Sequence, residues 1–133
     1  MRVPARGAAI AAALALVALA LASVATGTKI VRIPSGVTIQ SRSLVFHGKV
    51  TSPNPGCVEK RTVKLKRVVS GGRDQVIGAD TTDRHGRWRI VPQGSAGISL
   101  ARFYARVRRH SEGAAGTLYV CRAARSRVVG AGI

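Results

Sequence analysis

The chain has 133 residues, 46% of them hydrophobic but only 4% aromatic, and 22 Lys and Arg stand against 5 Asp and Glu for a net charge of +17. That length holds one domain with a modest core, and so few acidic residues leave little material for paired-carboxylate catalysis. The charge predicts attraction to polyanions: nucleic acid, anionic lipid or phosphorylated cell-wall polymers.

Taken in chain order, Arg2 and Arg6 precede a long uncharged run of Ala, Leu and Val, which ends in Ser23-Val24-Ala25. A basic start, an apolar middle and a small-residue exit make residues 1–25 a secretory signal peptide, a signal helix cleaved after Ala25. The alternative is an uncleaved membrane anchor, since the run approaches the ~20 residues that span a bilayer. The reading is therefore a secreted or extracytoplasmic (cell-envelope) protein with no membrane span in the mature chain. Thr26–Ile133 then keeps 20 Lys and Arg against 5 Asp and Glu. Over the whole chain Arg outnumbers Lys 17 to 5 beside abundant Ala and Gly, a composition that GC-rich coding also produces.

Residues 26–42 read as a short lead-in, with "VTIQS" as a possible strand, and residues 43–133 as one β domain. "SLVFHGKVTS" alternates, with Leu44, Phe46, Gly48 and Val50 on one face. "SPNPG" is loop chemistry, because two prolines cannot donate to a ladder. Cys57 follows. Cys57 and Cys121 are the only cysteines, and in an oxidising compartment they allow a single intramolecular disulfide. They leave no zinc site, which needs four ligands. "RTVKLKRVV" turns Val63 and Leu65 inward and Lys64 and Lys66 outward. "SGGRD" is a turn and "QVIGADTT" a strand.

In "TTDRHGRWRI", Asp83 accepts backbone N–H groups across a turn and Gly86 takes the positive φ that closes it. Trp88 and Ile90 then face the core, opposite Arg87 and Arg89. "PQGSAGISLA" is a long connection whose Ile98 and Leu100 are the one candidate for an exposed apolar loop. In "RFYARVRRH", Phe103, Ala105 and Val107 alternate with Arg102, Tyr104, Arg106 and Arg108. "SEGAAG" turns the chain, "TLYVCRA" is a strand and "RSRVVGAGI" a closing strand. Short alternating segments at roughly 8–12-residue spacing predict an all-β antiparallel sandwich of about seven strands.

The segments "FHGKV", "VKLKRV", "TTDRHGRWRI" and "FYARVRR" together resemble the carboxypeptidase regulatory-like, or transthyretin-like, β-sandwich domains. Gly48, Val50, Thr82, Asp83, Gly86, Trp88 and Tyr104 match that pattern, over about Leu44 to Val107. The link "GSAGISLARFY" is longer than the family's, and the two cysteines lie outside the pattern. The chain also looks like small secreted β-sandwich proteins of actinobacteria. The resemblance implies a prealbumin-like topology, in preference to an immunoglobulin-like one, and an accessory role without a reaction.

No catalytic group is assigned. His47, His85 and His110 have no Gly-x-Ser-x-Gly elbow to serve, "HGKV" lacks the phosphate-loop spacing, and no cofactor or metal is expected. The candidate polyanion-binding residues are Lys64, Lys66, Arg102, Arg106, Arg108 and Arg109. Readers of single-stranded nucleic acid need several stacking aromatics beside such cations, so the expected partner is an anionic envelope polymer or a protein, not a specific nucleic-acid sequence. The competing reading is a secreted cationic effector or inhibitor acting on a protein or membrane.

Overall fold

A computed structural model describes residues 27–93 and 100–132. The signal segment and Ile98 lie outside the described residues. The described chain is all-β, with eleven strands and one short 3-10 turn. No described helix is long and apolar enough to cross a membrane.

Three sheets form. In the first, β4 (Val45–Thr51) pairs antiparallel with β2 (Gly36–Val37), β3 (Gln40–Arg42) and β7 (Arg87–Ile90). The second runs β11 (Ala124–Arg125), β8 (Phe103–Val107), β5 (Thr62–Arg67) and β6 (Gln75–Thr81), all antiparallel. The third sets β10 (Thr117–Cys121) between β9 (His110–Ala114) and β1 (Lys29–Ile33), and β1 joins it in parallel.

Period-2 alternation decides which side chains meet. Phe46, Val50, Trp88 and Ile90 from the first sheet share one buried cluster with Val63, Leu65, Phe103, Ala105 and Val107 from the second. At its centre the Phe46 and Phe103 rings sit 4.8 Å apart, tilted by 57°. Such aromatic pairs contribute about 0.5–1.5 kcal/mol beyond their area. Trp88 is buried and its indole N–H has no partner among the described residues.

The stretch expected to be a lead-in belongs to this body. Val37 and Ile39 are in the cluster, and β2 and β3 pair with β4 in one continuous register, Val37 opposite Val50 and Gln40 opposite His47. Between them Thr38 substitutes its hydroxyl for a ladder carbonyl, accepting from the Lys49 N–H at 2.9 Å. The Thr38 carbonyl is thereby pushed over Gly48, where any Cβ would collide with it. That close approach requires glycine.

The end of the chain also departs from expectation. "SEGAAG" is not a turn throughout, because its first residues belong to β9 and the reversal occurs at Ala115 and Gly116, both at positive φ. A two-residue connection with both residues left-handed matches the right-handed twist of a hairpin. The closing strand shrinks to Ala124–Arg125 plus a bridge from Val129 to Phe103.

Candidate functional site

The alternation that turns Val63 and Leu65 inward leaves Lys64 and Lys66 on the outer face of β5, as it leaves Tyr104 and Arg106 on that of β8. Pairing places Lys64 directly opposite Arg106, and Arg106 opposite Arg125. Three cations therefore stand side by side across three strands. Like charges directly opposite on a sheet are destabilising. Lys64, Lys66, Arg106, Arg108 and Arg109 line a groove of about 350 Å³, completed by Ala123, and no carboxylate is among its lining residues.

Five of the six expected basic residues thus converge. Arg102 does not. It precedes β8, is exposed, and lends its carbonyl to the Val68 N–H. Arg125 was missed, because a two-residue strand carries no readable alternation. Tyr104 lies on the outer face as expected, yet it is buried. The Arg125 guanidinium sits 3.9 Å above its ring and its hydroxyl donates to Asp74 at 2.6 Å. The hydrogen bond to Asp74, followed by burial, raises the Tyr104 phenol above its ordinary pKa. The one aromatic on this face is therefore closed to base stacking.

Asp80 and Asp83 are engaged away from this face, while Asp74 sits on it near Lys66 and Arg125 but outside the lining of the groove. Asp83 accepts from the His85 and Arg87 N–H groups at 2.8 and 3.0 Å, Asp80 from those of Thr81 and Arg89, both at 2.8 Å. Asp74 takes the Val69 N–H besides the Tyr104 hydroxyl. Among the described residues the one close pairing of a basic side chain with a carboxylate is His110 Nε2 with Glu112 Oε1, at 2.9 Å. No three potential metal-ligating side chains cluster among the described residues.

The Asp83 loop is a built turn. Gly86 is at φ +79°, and the Gly86 carbonyl accepts from the Val50 N–H. His85 is exposed at the tip. The Arg87 N–H first, then that of His85, holds the Asp83 carboxyl below its ordinary 3.8, while Asp74 is lowered first by the Tyr104 hydroxyl and then by the Val69 N–H. A depressed folded pKa contributes stability above the unfolded value, and that contribution is lost as pH falls through the folded one. Melting temperature is expected to hold from pH ~7 to ~5 and to fall below pH ~4, where free Asp protonates. Thermal melts of Asp83→Ala should show a shallower acid slope; an unchanged slope would remove the turn from the account.

A second cationic feature was not legible as a site. Arg61 is completely buried, with neither nitrogen of its fork facing a carboxylate. It lies beside the Cys57–Cys121 disulfide, whose Cα atoms are 5.4 Å apart.

Compared with protein-family models, curated proteins and solved structures, the chain matches none.

Proposed function

We propose that this is an exported, disulfide-linked β-sandwich of prealbumin-like topology that acts as a non-catalytic binding module, held on anionic polymers of the cell envelope or extracellular space. The observation that carries the reading is the convergence of Lys64, Lys66, Arg106, Arg108 and Arg109 on one groove lined by no acid. An array of like charges lowers its own stability unless an anion occupies it. The closed Tyr104 ring favours a polymer without bases over single-stranded nucleic acid.

The test is a titration of the purified protein against isolated cell wall, anionic liposomes and duplex DNA, from low salt to ~0.15 M, where screening acts beyond about 8 Å. The reading expects binding to the wall polymer to persist at the higher salt and to weaken at least tenfold in Lys64→Gln/Arg106→Gln. Binding to all three that vanishes with salt would mean generic charge.

The effector reading keeps one observation of its own. Leu100 is 92% exposed, at the end of the connection that holds Ile98. Leu100→Ser separates the readings: an effector loses its action on membrane or protein, whereas wall binding is unchanged.

A further inference from the structure

A second groove, of about 620 Å³, lies over the β4–β7 pair, away from the basic groove. Its size is within the ~300–1,000 Å³ range of small-ligand sites. The floor is set by register: His47 stands opposite Arg89 and Lys49 opposite Arg87, all four exposed. Lys49 and Arg87 are like charges facing each other across a sheet, with the penalty that brings. The walls differ from those of the basic groove. Gln40 and Thr38 stand on one side, and Asp80, Thr81 and Asp83 on the other.

A bare polyanion fits this arrangement poorly, since two carboxylates would repel it. The ligand must bring negative charge to the floor and neutral hydroxyls to the walls, where carboxylate and amide oxygens accept and the amide NH₂ donates. A nucleotide base would find no free ring, because the aromatic at the groove, Trp88, is packed into the core. We propose that the β4–β7 groove binds a short acidic oligosaccharide, with Lys49 and Arg89 holding its carboxylate or phosphate and Asp80 and Gln40 its hydroxyls. This site is independent of the polymer-binding face, and its failure leaves that reading untouched.

Trp88, the chain's only tryptophan, is buried beneath this groove, so calorimetry is the primary readout of occupancy and the Trp88 emission a second one. The purified protein would be titrated with a carboxylate-bearing probe, hyaluronan tetrasaccharide, and a phosphate-bearing one, trehalose 6-phosphate. Neutral chitotetraose and inorganic phosphate serve as controls. The expected result is saturable binding of at least one acidic sugar, at least tenfold tighter than either control. Lys49→Gln/Arg89→Gln, shown by thermal melting to be folded, should weaken it tenfold or more, and Lys64→Gln/Arg106→Gln should leave it unchanged. Equal binding of inorganic phosphate or chitotetraose, loss through the Lys64 and Arg106 variant instead, or silence toward both acidic sugars in fluorescence and calorimetry overturns the proposal.

Discussion

Replacing Arg61 by Met or Ala is expected to destabilise the protein by about 3–5 kcal/mol, the range for breaking a buried charged network. In a domain of this size that lowers the melting temperature by roughly 15–30 °C. Arg61 Nη1 donates to the Cys57 carbonyl at 2.6 Å and to Ser35 Oγ at 3.0 Å, while Nη2 donates to the Arg108 and Arg122 carbonyls at 2.7 and 3.0 Å. One guanidinium thereby gathers the link between β1 and β2, the 3-10 turn, the link between β8 and β9, and the residue after β10. Its own backbone is tied too, the Arg61 N–H to Thr82 Oγ1 and its carbonyl to the Thr82 N–H.

Two effects oppose each other at this residue. Burial disfavours the charged form and lowers the Arg61 pKa, and an apolar substitute would remove that cost. A buried ion pair replaced on both sides by apolar groups is often neutral for this reason. Here only one side can be replaced. The Cys57, Arg108 and Arg122 acceptors are backbone carbonyls that no substitution removes, and each left unmet costs about 1–3 kcal/mol. The loss of acceptors' partners therefore wins over the relief of desolvation. Arg61→Lys should fall between, since an ammonium keeps the charge but cannot span four acceptors with a planar fork. Denaturant unfolding of the three variants gives the order. Arg61→Met within 1 kcal/mol of the parent would show that the carbonyls find water instead.

Why Arg61 was not singled out, and what could have revealed it, are both in the alternation. In "RTVKL" it precedes Val63 by two residues and Leu65 by four, so period 2 assigns it to the inward face. In a chain with 17 arginines it reads as one more surface cation. The same alternation did identify Val63, Leu65, Phe103 and Val107 as inward and Lys64, Lys66, Arg106 and Arg108 as outward, because each is local to one strand. It could not show that Lys64 and Arg106 are neighbours, since strand order depends on contacts 42 residues apart. Nor does any local signal encode the parallel pairing of Lys29–Ile33 with Thr117–Cys121. Tyr104 shows a further limit. Its facing was legible, but its closure depends on Asp74 and Arg125, which arrive from elsewhere in the chain.

Removing the disulfide, as Cys57→Ala/Cys121→Ala, is expected to cost about 4 kcal/mol. The bridge closes a loop of sequence separation 64, and the chain-entropy relation gives that figure for a loop of this length. Native-state terms act in the same place. Both cysteines are buried, with Ile33 beside them and Val31 packed against the group, and the Cys57 carbonyl is an Arg61 acceptor. Loss of the bridge therefore frees the 3-10 turn that presents that carbonyl, so the bridge and the guanidinium should not be independent. Combining Arg61→Lys with the double alanine variant is expected to destabilise by at least 0.5 kcal/mol less than the sum of the two, the signature of residues sharing one network. Hydrogen exchange in the bridge-free protein should rise first in β1, β9 and β10, which form the sheet whose central strand ends at Cys121. The large core shared by Phe46, Leu65 and Phe103 should stay protected longest. Uniform loss of protection across all three sheets would mean that the bridge stabilises only through the unfolded chain, and that the fold has no weaker sheet.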